Sequence, residues 1–99
     1  MSGKSLSEAA AQEALEEGGV TGPIATLEVG RFDHEKVHPI FGRIRCLVIV
    51  FPLRVITVLP DWPEKDDRQR RWFSVRGSAN AVSSGQLSAI MRSLPKVLT

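Results

Sequence analysis

Glu13, Glu16 and Glu17 fall three and four residues apart in the run Gln12-Glu13-Ala14-Leu15-Glu16-Glu17-Gly18-Gly19-Val20. On an α-helix this spacing gathers the three carboxylates on one face, because residues i, i+3 and i+4 lie one above the other. Like charges so placed repel, at about a few tenths of a kcal/mol for each i,i+4 pair, and helix propensity alone does not call for them. A divalent cation gripped by the cluster would remove that cost. The chemistry to look for is therefore metal-assisted, with an anionic ligand facing the metal.

The elements that must position these groups start with a helix. Ser5-Leu6-Ser7-Glu8 has the form of a capping box, in which the serine hydroxyl and the glutamate carboxylate satisfy amide donors at a helix start. The first helix is expected over residues 6–17, with Ala10, Ala11, Ala14 and Leu15 on the side next to the acidic sector and able to approach a sheet closely. Gly18 and Gly19 offer the left-handed conformation that ends a helix, and Gly22-Pro23 makes a turn. Ile24 to Phe32 reads as a strand extending toward Lys36, and residues 37–42 as a reversal. Arg43 to Leu59 is the strongest strand signal, rich in β-branched residues, with Pro52 at an edge, bulge or boundary. Leu59 to Asp67 is a loop by composition. Arg71 to Val75 reads as a short returning strand, and Ser84 to Leu94 as a helix with Leu87, Ile90, Met91 and Leu94 on one stripe, preceded by a turn over residues 80–82.

Bulk properties narrow the classes. Ninety-nine residues, 42% of them hydrophobic, suit one small domain with a modest core. The single cysteine, Cys46, excludes an internal disulfide framework, and its apolar neighbours point to a buried structural thiol. No charged segment precedes an apolar one at the start, and Pro52 and Arg54 interrupt the longest hydrophobic run, so the expectation is a cytoplasmic protein with no membrane partner. The net charge of +2 divides unevenly: residues 1–30 carry −4 and the remainder +6. An acidic helix beside a basic body suits a metal next to a phosphate-rich small molecule better than general nucleic-acid binding, although ordinary solvated surface accounts for the same charges equally well.

The segment from Gln12 to Val20 resembles the second half of the Nudix box, Gly-x5-Glu-x7-Arg-Glu-U-x-Glu-Glu-x-Gly-U, where U is aliphatic. Glu13, Glu16, Glu17, Gly19 and Val20 match it. Gln12 stands where the box has arginine, Ala14 is small for the aliphatic position, Lys4 falls on the first glutamate, and the opening glycine would precede Met1. The chain is thus expected to begin inside the motif. Downstream, the order of strand, turn, apolar strand, Trp-containing loop and Arg-rich strand is similar to the diphosphoinositol polyphosphate phosphohydrolase type. Asp61-Trp62-Pro63-Glu64 and Arg68-Gln69-Arg70-Arg71-Trp72-Phe73 carry that likeness.

The resemblance implies an α/β fold over residues 1–99, an α/β/α sandwich around a mixed sheet with the amino-terminal strands missing. A sheet so shortened exposes an unpaired edge that invites a homodimer. It also implies Mg²⁺-dependent hydrolysis of a phosphoanhydride in a nucleoside diphosphate-linked or polyphosphate substrate. Carboxylates suit Mg²⁺, and Mn²⁺ could substitute. By the family's pattern Glu13 and Glu17 hold the metal and Glu16 is the general base, although coupled carboxylates leave the base open among the three. Arg43, Arg45 and Arg68 are expected to bind the substrate's phosphates, the first two on one face of a strand and the third by its match to a phosphate-contacting arginine of the subgroup.

Other chemistry-bearing residues count for less. His34 and His38, four apart near a strand end, do not converge as a helical pair would. Trp62 and Trp72 are expected to pack against helices, and no serine has a histidine partner in a recognisable arrangement. The rival classes are a non-catalytic module that binds RNA or another polyanion, and a degenerate relative that binds nucleotides without cleaving them. Mg²⁺ dependence separates the first of these from an enzyme, and turnover separates the second.

Overall fold

A computed structural model describes residues 4–97. The elements run α1 (Leu6–Gly18), β1 (Val20–Thr21), β2 (Gly30–His38), β3 (Gly42–Val50), β4 (Thr57–Val58), α2 (Val75–Ala81) and α3 (Gly85–Val97). Helices with two antiparallel ladders, β1–β4 and β2–β3, make this an α/β chain. The described residues form two compact units, one from residues 4–28 and 51–72, the other from 29–50 and 73–97. No helix among them is long and apolar enough to cross a membrane.

In the first unit α1 starts as its sequence dictates. The Ser5 hydroxyl accepts from the Glu8 amide at 3.2 Å, and the Glu8 carboxylate accepts from the Ser5 amide at 3.2 Å, so two otherwise unpaired donors are satisfied reciprocally. The bond that the Ser5 amide donates to the carboxylate, with a further contribution from the Ser5 side chain and the charge of Lys4, holds the Glu8 carboxyl below the usual carboxylate range. A depressed folded value means that the contribution is complete above the unfolded value of about 4.3 and is lost as pH falls through the folded one. Glu8→Ala is accordingly expected to lower the urea midpoint at neutral pH, by a margin that closes in acid. A margin that stays constant into acid would show that the carboxylate charge contributes nothing to the cap. At its other end α1 stops on Gly19, whose φ of 63° is left-handed and so favours glycine.

Val20 and Thr21 then pair with Val58 and Thr57. The two chains stay together beyond that short ladder: the Ile56 amide donates to Thr21 O, the Arg54 amide to Pro23 O, and the Ala25 amide to Pro52 O. The long strand expected over residues 43–59 is therefore two segments in different ladders. Pro52 marks the break because it has no N–H to donate to a ladder, although its carbonyl still accepts. Ile24, expected to open a strand reaching Phe32, makes one isolated bridge to Leu53.

The second unit is built on the β2–β3 hairpin, in register from Gly30↔Val50 to His38↔Gly42. Its three-residue loop, Pro39 to Phe41, closes on Gly42 at φ 73°, the left-handed position such loops require. His38 Nδ1 accepts from the Ile40 and Phe41 amides at 3.1 and 3.3 Å, so this histidine braces a turn. Packing centres on Phe32 and Ala79, both buried. Gly30 lets α3 approach, since a Cβ there would lie 2.7 Å from Ile90 Cγ1. The stripe Leu87, Ile90, Met91, Leu94, expected to be buried from its spacing, lies on α3 and is half-buried.

The returning strand expected at residues 71–75 does not form. Ser74 instead caps α2, its hydroxyl accepting from the Gly77 amide at 2.9 Å, and this local bond replaces the ladder partners that a strand would need.

Candidate functional site

The carboxyl end of α1 leaves carbonyls without intrahelical donors, as every helix end does. Here the loop from Leu59 to Arg70 supplies the donors. The Glu64 amide donates to Glu16 O at 2.9 Å, Trp62 Nε1 to Glu17 O at 3.0 Å, and Arg70 Nη1 to Gly18 O and Gly19 O at 3.0 and 3.2 Å. Arg70 also donates through Nη2 to Leu59 O and stacks 3.9 Å above the Trp62 ring. Its charge sits at the negative end of the helix dipole, where a cation is favourable. The loop is thereby fastened beside the glutamates, from one side of the same compact unit.

The three carboxylates have different surroundings. Glu13 is exposed, whereas Glu16 and Glu17 are half-buried. Gln12 Nε2 donates to Glu16 Oε1 at 3.0 Å, so the residue that departs from the box's arginine still orients a carboxylate one turn away. Arg68 Nη2 lies 2.6 Å from Glu17 Oε1, and Arg68 Nε lies 3.3 Å from Glu64 Oε1. Arg68 is thus brought to the acidic helix, and Glu64 joins the cluster through it.

No group of three or more His, Cys, Asp or Glu side chains among the described residues is placed to hold a metal ion, so Glu13, Glu16 and Glu17 do not converge as a three-carboxylate site. Mg²⁺ does not need one, because it binds through one or two carboxylates and completes its shell with water and phosphate. Glu13 and Glu17, one helical turn apart on α1, are two carboxylates that could supply such donors, the second of them paired with Arg68. A cavity of about 450 Å³ that begins at Gly18, the last residue of α1, is lined also by Val20, Val55, Val58, Arg70, Arg71 and Trp72.

Arg43 and Arg45 belong to the other unit, on alternate positions of β3. Arg43 Nη1 is 3.6 Å from Glu35 Oε2, Arg45 stands opposite Glu35 in the register, and Arg45 shares a small concavity with Asp33, Glu35 and Gln86. Each therefore has a carboxylate neighbour on its own hairpin. Trp62 packs on the end of α1, but Trp72 is 74% exposed, because the strand expected to hold it is absent. Cys46 is half-buried, not fully so, since a two-stranded ladder covers a side chain less than a layered sheet does. Sequence reasoning missed Arg70 and Glu64. Their bonds to α1 span 48 to 52 residues, so no local spacing could have announced their place at the helix end.

Three proteins of Arabidopsis thaliana resemble the chain. Nudix hydrolase 12, mitochondrial, is 38% identical over 72 residues, covering 70% of this chain and 36% of its own length. Nudix hydrolase 13, mitochondrial, is 36% identical over 74 residues, 70% of this chain and 37% of its own. Nudix hydrolase 21, chloroplastic, is 36% identical over 73 residues, 73% of this chain and 34% of its own. The chain spans about a third of the length of these relatives. No family model matches it, and no solved structure does. Over about 70% of its length the chain is thus similar to three proteins named Nudix hydrolases.

Proposed function

We propose that this chain carries the metal-binding helix of a Nudix hydrolase that cleaves a phosphoanhydride bond in a nucleoside diphosphate-linked or polyphosphate substrate, with Mg²⁺ as its cofactor. The observation that carries the reading is the fastening of an arginine-bearing loop onto a helix with three carboxylates at box spacing. Glu13 and Glu17 would hold the cation, which when bound neutralises phosphate oxygens and polarises water. Glu16 accepts the proton of the attacking water as its oxygen bonds to phosphorus and the bridging P–O bond breaks. The Gln12 amide keeps that carboxylate oriented. Arg68 spreads the charge that develops on the phosphate oxygens, a task for which a planar, permanently charged guanidinium is suited.

The subgroup we favour is the diphosphoinositol polyphosphate phosphohydrolase type, on the Trp62 loop and the Arg68 segment. The test is phosphate release from a panel of dinucleoside polyphosphates, sugar nucleotides and inositol pyrophosphates, with Mg²⁺ and with chelator. Release from at least one member, abolished by chelator, is expected. Binding of polyanions without any metal-dependent release, across the panel, would overturn the hydrolase reading.

A further inference from the structure

Glu17 already has a cation. Arg68 Nη2 at 2.6 Å makes a charge-assisted bond to Glu17 Oε1, and the same guanidinium reaches Glu64 Oε1 through Nε at 3.3 Å. A metal approaching that carboxylate meets an occupied oxygen and a like charge. We propose that Arg68 is a placeholder: it neutralises Glu17 while the metal is absent, and on metal entry it is released to bind a phosphate of the incoming ligand. This rests on the reading of Glu17 as a metal ligand.

Three features make the exchange feasible. The pair is weak, because the side chains of Arg68 and Glu17 are 52% and 40% exposed and water screens such pairs to about a five-fold effect on an equilibrium at most. Release does not send the guanidinium away, since Glu64 retains it through an i,i+4 pair. Glu64 in turn is fixed to the helix by its own amide on Glu16 O. The freed guanidinium therefore remains beside the metal position with donors to spare, in the geometry that phosphate accepts in bidentate fashion.

The consequence is coupling between the two ligands. Metal at Glu17 frees Arg68 for an anion, and an anion that keeps Arg68 off Glu17 raises metal affinity by the same factor, because linkage is reciprocal. Neither effect needs a large movement.

The test is Mn²⁺ binding, followed by loss of the free-ion electron paramagnetic resonance signal, with and without inorganic phosphate as the anion. Arg68→Gln is expected to bind Mn²⁺ alone about two- to five-fold more tightly than the wild type, and to lose the tightening that phosphate gives the wild type. Arg68→Lys, which keeps a cation beside Glu17, is expected to restore wild-type affinity for Mn²⁺ alone. Arg76→Gln, an exposed position of α2 in the other unit, controls for net charge and is expected to leave Mn²⁺ affinity unchanged. Equal affinity in Arg68→Gln and wild type, or an equal gain in Arg76→Gln, would overturn the placeholder role. Glu17→Gln separates the two levels. If it loses Mn²⁺ while Arg68→Gln behaves as wild type, only the placeholder fails; if it binds Mn²⁺ as wild type does, the assignment of Glu17 fails and the placeholder with it.

Discussion

Replacing Glu17 with Gln is expected to remove most of the stabilisation that saturating Mg²⁺ gives the wild type and to slow phosphoanhydride hydrolysis by at least about a hundredfold, the scale of losing one group that stabilises transition-state charge. The amide keeps the size of the side chain and a hydrogen bond to Arg68 but not the charge that a hard cation requires. For the wild type, metal at a hundred times its dissociation constant contributes about 2.7 kcal/mol by mass action, which in a chain of this length raises the melting temperature by roughly 10 °C or more. Glu16→Gln should separate the roles, keeping the Mg²⁺ shift while losing turnover. Thermal melts with Mg²⁺ and with chelator, beside a phosphate-release assay, read both quantities. A wild type whose melting is indifferent to Mg²⁺ would remove the basis for assigning metal to α1.

Gly22→Ala is expected to be the most destabilising small substitution in the first unit, by about 3 kcal/mol, the upper range for forcing atoms into occupied space. A Cβ at Gly22 would sit 1.8 Å from Arg54 O and 2.9 Å from Arg54 C. Those are backbone atoms, held by the Arg54 amide on Pro23 O and the Ile56 amide on Thr21 O, so neither can yield without breaking the crossing of the two segments. Gly42→Ala is the contrast. Nothing lies within 4 Å of a Cβ there, and only the left-handed φ of 73° is penalised, at about 1–2 kcal/mol. Urea denaturation should rank the two in that order. The reverse order would mean that the segments around Gly22 and Arg54 do not cross so closely.

The elements that were legible in advance are those held by near neighbours in the chain. Ser5 and Glu8 are three residues apart, and both bonds of the capping box form; Gly19 ends α1 where a left-handed residue was called for. The spacing of Leu87, Ile90, Met91 and Leu94 predicts a buried stripe, and α3 forms there with the four residues half-buried. Pro52 has to lie at an edge, a bulge or a boundary, and of these the structure takes the boundary, β3 ending two residues before it. The strand signals failed where pairing had to choose. Residues 71–75 carry β-forming side chains, yet the Ser74 cap makes a helix start there. Residues 24–29 were assigned to a strand whose real extent, Gly30–His38, is set by its match to Gly42–Val50.

The amino-acid sequence by itself determined the acidic face of α1, because three carboxylates at helical spacing share a side of the helix whatever surrounds it. Only the tertiary structure decided what faces them. Arg68 could be named from its likeness to a phosphate-binding residue, but its hold on Glu17 spans 51 residues. Trp62, Glu64 and Arg70 meet the end of α1 across similar separations. The physical reason is that helix periodicity is a local property, written in adjacent turns, whereas the donors that satisfy a helix end are drawn from any segment that folding carries to it, and that choice depends on the whole pattern of pairing.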